Sequence, residues 1–262
     1  MFVKQALLGR ILSQLAILIA LVVLVIPLWL IVRVSVGGEG WHNYVAVFTT
    51  TPFVQFLTNS AIITFVTVIA VLVLAISAAY ATAALRPRGT GVIATLILAG
   101  LTMPAIALVV PVFSLVQSLG LFDTYWAVII PLTALSIPFG VLVGANYIRA
   151  IPVEVFEAAT LDGAGTFRTL ISIVLPICRP ILSVIAIFTF LAAWNEYLLP
   201  LLFLQDVDLK VVTQVPVYFQ SQRLADTPKI FAANVLISLP VVAFYLALQS
   251  TFRKGLASGA VK

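Results

Sequence analysis

The chain has 262 residues, 63% of them hydrophobic and 9% charged, with a net charge of +5. Soluble domains carry about 25% charged residues, so this composition excludes a water-soluble globule and implies an integral membrane protein. One Cys (Cys178) and one His (His42) exclude an internal disulfide, a thiolate cluster and histidine-rich metal chemistry, and no basic run points to nucleic acid.

Six stretches reach the roughly 20 apolar residues that a membrane helix needs. In chain order they are 11–32, 61–85, 92–116, 125–147, 181–204 and 230–248, within a single all-α domain covering 1–262. The first follows Lys4 and Arg10, but its apolar core is too long for a cleaved signal. Five stretches contain no charge, and the fifth in order contains only Glu196. With the N-terminus inside, ten basic residues fall on the inner side: Lys4, Arg10, Arg86, Arg88, Arg149, Arg168, Arg179, Arg253, Lys254 and Lys262. Four fall outside: Arg33, Lys210, Arg223 and Lys229. The positive balance therefore reads as topology, with both termini cytoplasmic. Prolines 27, 104, 111, 131, 138, 200 and 240 predict bent helices, used either for packing or to line a path that opens and closes. The outer segment 205–229 alternates in places, as a short strand or an interfacial helix would.

Between the fourth and fifth stretches lies a half-polar cytoplasmic segment, 150–178. "IPVEVFEAATLDGAG" reads as a short helix from Pro152 to Asp162, about 16 Å long. Pro152 suits the first helical position, and Glu154 and Glu157 suit the first turns, where the helix dipole favours negative charge. Gly163 and Gly165 end it. A second helix follows, with Phe167, Leu170, Ile171, Val174 and Leu175 on one apolar face and Arg168, Thr169 and Ser172 on the other. Ala158 and Ala159 offer a small face that a partner's backbone can approach. From the residues alone, the segment is either a docking joint or an amphipathic connector with no partner.

The segment resembles the E-A-A motif of ABC-importer permeases: E-A-A, three residues, G, nine residues, I-x-L-P. Here these positions are Glu157-Ala158-Ala159, Gly163 and Ile173-Val174-Leu175-Pro176. "WHNYVAVF", "GLFDTYWAVIIP", "FLAAWNEYLLPLLF" and the ending "GLASGAVK" are similar to the shorter sugar permease of maltose-type systems. Phe156 stands where many relatives carry a second acid, and "LADTPKIFAAN" lacks the Trp-Gly often found there. The resemblance implies a six-helix permease in the cytoplasmic membrane, with Glu157, Ala158, Ala159, Asp162 and Gly163 forming a coupling helix seated on an ATPase. It implies as partners a second homologous permease, two ATPase subunits and an extracytoplasmic sugar-binding protein. The cargo would be a sugar. The chain contains no G-x-x-x-x-G-K-[ST] phosphate loop, so ATP hydrolysis would belong to the partners, and no cofactor or metal is expected.

Glu196 lies about 22 Å along its stretch from Ile181, in the outer third of the bilayer. An acid at that depth is a functional hypothesis by default. Trp194, Asn195, Glu196 and Tyr197 combine hydrogen bonding with aromatic faces, which suits a sugar path. An interfacial aromatic belt in which Glu196 reaches water, or a structural pair at a subunit interface, is the competing reading. Asn59, Asn146, Asn234 and Gln249 are weaker candidates near span ends. His42 reads as solvated or packed, and Cys178 as a small hydrophobe. The rival functions are a permease for glycerol phosphate, a polyol or another solute, a secondary carrier or channel, and a membrane-embedded enzyme. The last lacks paired acids, a Ser/His pair or a membrane His.

Overall fold

The computed structural model describes residues 7–220 and 225–259, and these are all-helical. Lys4, Arg223 and Lys262 of the basic-residue count lie outside them. In chain order the helices are α1 Leu7–Ser35, α2 His42–Thr50, α3 Phe53–Tyr80, α4 Thr90–Ala99, α5 Val109–Ser118, α6 Trp126–Arg149, α7 Val153–Leu161, α8 Thr166–Thr169, α9 Leu175–Ile177, α10 Arg179–Trp194, α11 Leu198–Phe203 and α12 Thr227–Gly259. Four are long and apolar enough to cross a membrane: Ser13–Ser35, Phe53–Leu85, Trp126–Arg149 and Thr227–Gln249. Two bent pairs, Thr90–Thr102 with Ala105–Ser118 and Thr166–Ile177 with Arg179–Trp194, raise the number to six if each is one crossing.

Two of the expected stretches are thus interrupted. The one at 92–116 bends by 99° between Thr102 and Ala105. Pro104 forces this, because its ring disfavours helical backbone at the preceding residue, and Met103 accordingly has a ψ of 123°. The one at 181–204 stops at Trp194 and resumes at Leu198. Segment 205–229 forms, among its described residues, 3₁₀ turns Val207–Leu209 and Val212–Phe219 and an antiparallel bridge between Gln220 and Ala225.

One compact unit comprises 54–214 and 239–262. Its core runs along α3 in three layers. At one end, Ile63 packs with Leu132, Phe203 and Val211. In the middle, Val71 and Ala75 pack with Val141 and Ile185. At the other end, Ala79 and Tyr80 pack with Ile148, Val174 and Cys178. The axis of this packing is a pair of glycines one helical turn apart. A Cβ added to Gly140 would meet the Cβ of Ala75 at 2.7 Å, and one on Gly144 would meet the Cβ of Ala79 at 3.1 Å. Small residues on both helices let the backbones of α3 and α6 approach closely, the usual solution in lipid, where apolar burial gives no driving force. The pairing of 140 with 75 and 144 with 79 also makes the two helices run parallel.

The other unit comprises 1–53 and 215–238. In it Asn43, buried on α2, donates to the carbonyls of Ser35 and Gly37 (2.9 and 2.7 Å), satisfying the end of α1. Lys229, in the first turn of α12, bridges Glu39 and Asp226 at 3.3 and 2.9 Å. The 18-residue apolar window of α1 has no buried residue.

Candidate functional site

Helix α7 is nine residues, about 14 Å, with Pro152 preceding it as the N-cap. Its first turn holds Glu154 alone. Glu157 lies beyond the first turn, where the dipole no longer acts, so the expected dipole role falls to Glu154. The helix ends in a Schellman motif: the Ala164 amide donates to the Ala159 carbonyl (2.9 Å) and the Gly163 amide to that of Thr160 (3.0 Å). Gly163 has a φ of +71°, which a Cβ resists, while Gly165 at φ −70° has no such requirement. Gly165 instead precedes α8.

Glu157, Ala158, Leu161, Asp162 and Gly163 are exposed on one run of this segment, and Leu161 is 88% exposed. Ala159 is buried, so only one of the two alanines presents itself outward. Phe156 turns inward and stacks on Tyr80, with centroids 6.5 Å apart. The second helix of the 150–178 segment departs from its expected face. Residues Leu170–Val174 form a π-turn, which rotates everything that follows. Val174 and Thr169 are buried, and Phe167 and Ile171 are exposed. Thr169, expected on the polar face, donates to the Gly165 carbonyl (3.1 Å) and lies within reach of the Tyr80 hydroxyl.

The break at 195–197 separates the four polar-aromatic candidates. Trp194 is buried and stacks on Phe190 (centroids 5.5 Å, planes 9° apart), which in turn stacks on Phe244 at 3.9 Å. Asn195 is exposed and donates to the Leu191 carbonyl at 2.9 Å. Glu196 is half-buried, and its Oε1 accepts the Leu199 amide at 2.9 Å, capping α11. The Glu196 carbonyl accepts the Thr213 hydroxyl at 3.0 Å. Tyr197 is exposed. Glu196 therefore stands at a helix break rather than inside a continuous helix, and one of its oxygens already has a partner.

Two features go beyond what the sequence suggests, the first at Asn59, one of its weaker candidates. Asn59 is a buried clamp: Nδ2 donates to the Asp208 and Lys210 carbonyls (2.8 and 2.7 Å), and Oδ1 accepts the Tyr125 hydroxyl (2.8 Å). Ser60 accepts the Val212 amide, and Asp123 accepts the amides of Gln205 and Asp206, so the outer segment 205–212 is tied to the start of α3 and to the turn before α6. The Asn59 amide between two apolar runs was the only signal of this clamp. The second feature is the Gly140–Gly144 pair, legible as G-x-x-x-G in "FGVLVGANY". Among the described residues, no group of three or more His, Cys, Asp or Glu could hold a metal ion.

The sequence model for the binding-protein-dependent transport system inner membrane component matches residues 71–258. The chain is 33% identical over 221 residues to the diacetylchitobiose uptake system permease protein NgcG of Streptomyces coelicolor, covering 84% of this chain and 73% of that one. It is 28% identical over 251 residues to the melibiose/raffinose/stachyose import permease protein MelC of Bacillus subtilis, covering 90% and 91%. Its fold superposes with a TM-score of 0.79 on a chain of a bacterial ABC transporter involved in the import of alginate, at 20% identity and over 96% of this chain and 99% of that one. The chain accordingly belongs to the binding-protein-dependent transport system inner membrane component family: it is a multi-pass inner-membrane permease subunit of an ABC transporter, a transport component rather than a catalytic one.

Proposed function

We propose that this permease imports a sugar by alternating access, paired with a second, homologous permease and driven by two ATPase subunits that receive α7. The observation that carries the coupling role is the outward run from Glu157 to Gly163, closed by a Schellman turn that only a left-handed residue completes. Support for a sugar comes from NgcG and MelC, whose names describe uptake of diacetylchitobiose and of melibiose, raffinose and stachyose. Support for a second permease comes from α1, a membrane-length helix with an unburied apolar window. The test is mild-detergent purification with mass spectrometry of co-purifying subunits, followed by uptake of a mono- and oligosaccharide panel into proteoliposomes. Uptake of glycerol phosphate or a polyol in place of every sugar would replace the cargo and keep the rest. Purification as a lone chain that transports without ATP would overturn the reading.

Asn195, Glu196 and Tyr197 line the transport path in this reading, and the buried Trp194 supports them through its aromatic stack. Glu196→Gln keeps an oxygen for the Leu199 amide and removes only the charge, so it should lower uptake several-fold at normal membrane levels. Glu196→Leu removes the cap as well and should lower it further. Wild-type uptake by Glu196→Leu would reduce the cluster to an interfacial belt.

Both termini and the segment at Gly163 face the cytoplasm in this reading, supported by the ten-to-four basic asymmetry. A cysteine at position 163, in a Cys178→Ser background, should be labelled by an impermeant maleimide in inverted vesicles and not in right-side-out ones. The opposite pattern reverses the orientation.

A further inference from the structure

A cavity of about 860 Å³ lies against the inward side of α7, and neither docking nor transport accounts for it. Its lining includes Arg86, Arg149, Glu154, Thr160, Thr166 and Thr169. Arg86 sits in a left-handed turn at φ 45°, and its Nε donates to the Ala83 carbonyl at 2.9 Å, which leaves both terminal nitrogens available. Arg149 gives Nη1 to Asn146 at 3.1 Å. Neither guanidinium has an ion pair among the described residues, and both are exposed. Glu154 is on the same lining and pairs with neither.

The depth of these arginines is set by the chain. Arg86 directly follows Phe53–Leu85, and Arg149 is the last residue of Trp126–Arg149, two helices that cross the membrane in the same direction. Both guanidiniums therefore stand just past the ends of parallel apolar runs, at similar depth on one side of the bilayer. Two forked donors lining one cavity suit a phosphate oxyanion, and the Thr166 hydroxyl can add a hydrogen bond, whereas those of Thr160 and Thr169 already donate to the Phe156 and Gly165 carbonyls. The volume is that of a small-ligand site. Glu154 disfavours a polyanion and offers an acceptor to a hydroxyl, so the fit is a singly charged phosphate carrying hydroxyls.

We propose that this cavity binds one such phosphate group, and that occupancy steadies α7 and thereby the response of the ATPase. The second clause rests on α7 being the coupling joint. The source of the phosphate is either an anionic lipid headgroup, as the depth favours, or a soluble phosphate ester from the cytoplasm.

The experiment uses the assembled transporter in nanodiscs of phosphatidylcholine, with or without phosphatidylglycerol, as wild type and as Arg86→Gln/Arg149→Gln. Eight inner basic residues remain against four outer ones, so membrane insertion should keep its orientation. Native mass spectrometry should show at least one phosphatidylglycerol retained by wild type and lost from the double variant. Binding-protein-stimulated ATP hydrolysis should rise several-fold with phosphatidylglycerol in wild type and stay flat in the variant. If glycerophosphoglycerol, a soluble phosphodiester of single charge, gives the same rise in phosphatidylcholine discs, the site stands and its phosphate is soluble. Equal lipid retention by both proteins, with no response to glycerophosphoglycerol in either, overturns the site. Differential retention with unchanged hydrolysis keeps the site and overturns its link to α7, an outcome that leaves the sugar-import reading untouched.

Discussion

Gly163→Val should cut ATP-driven uptake about tenfold or more while leaving the permease in the membrane at its normal level. Gly163 has a φ of +71°, and an added Cβ would meet nothing within 4 Å. The penalty is thus conformational rather than steric crowding. An L-residue in the left-handed region costs about 1–2 kcal/mol, and a β-branched one costs more. The chain escapes this cost by unwinding the last turn of α7, which breaks the Schellman bonds from Ala164 and Gly163 and displaces Leu161 and Asp162. Since about 1.4 kcal/mol is a factor of ten in an equilibrium, uptake should fall by roughly tenfold or more. Gly163→Asn should retain most of it, because asparagine tolerates this backbone. Glu157→Lys, which reverses an exposed charge without touching the fold, should lose uptake by a different route, through a mismatched ATPase surface. The measurements are ATPase pull-down and stimulated hydrolysis in proteoliposomes. Full association and full stimulation in both Gly163→Val and Glu157→Lys would mean that the segment is only a connector.

Gly140→Leu should prevent the permease from accumulating at all. The Ala75 Cβ stands 2.7 Å from where the first added carbon would go, and the Ile185 Cγ2 is at 3.4 Å. Neither Ala75 nor the helical backbone behind it has a rotamer with which to yield. Forcing even one methylene into such a contact costs about 1–3 kcal/mol, and leucine adds four carbons. Moving α3 and α6 apart would also open the Gly144–Ala79 contact one turn along. Gly140→Ala should therefore lower the melting temperature by several degrees in detergent, at roughly 2–4 °C per kcal/mol for a chain of this size. Ala75→Gly placed on top of Gly140→Ala should restore most of the loss. Normal expression of Gly140→Leu would mean that the helices do not meet as described.

The short helix α7 and its end are legible because their signals are local. A glycine needed for a left-handed turn, a proline at a helix start and a fixed run of small and acidic residues all act within a few positions. Long apolar runs were legible for the same reason. What escaped depends on partners distant in sequence or on a change of helical pitch. Phe167 fits the apolar stripe only if the helix keeps its α period; the π-turn at Leu170–Val174 changes that period, so Thr169, five residues before Val174, shares its buried face instead. Asn59 reads as one amide among apolar residues, and its function is visible only once the Asp208 and Lys210 carbonyls are brought to it. Glu196 reads as a charge within a span because Pro200 predicts a bend, and nothing nearby in sequence says that the helix stops outright at Trp194. Of the residues carried by the resemblance, Ala159 faces the chain's own interior, a distinction that the motif's spelling does not make.

Helix α3 differs from the other three helices long enough to cross the membrane in having neither proline nor glycine between Phe53 and Tyr80. With its π-turn it runs 33 residues, about 50 Å, against about 30 Å of hydrocarbon. It is therefore a stiff rod, with one end held by the Asn59 clamp on the outer segment and the other ending at Arg86. A rod of that length tilting by about 5° about its middle carries each end about 2 Å in opposite directions. A shift of the outer segment and a shift of the wall beside α7 are then one mechanical event with a single degree of freedom, and no relay of intervening side chains is needed to connect them.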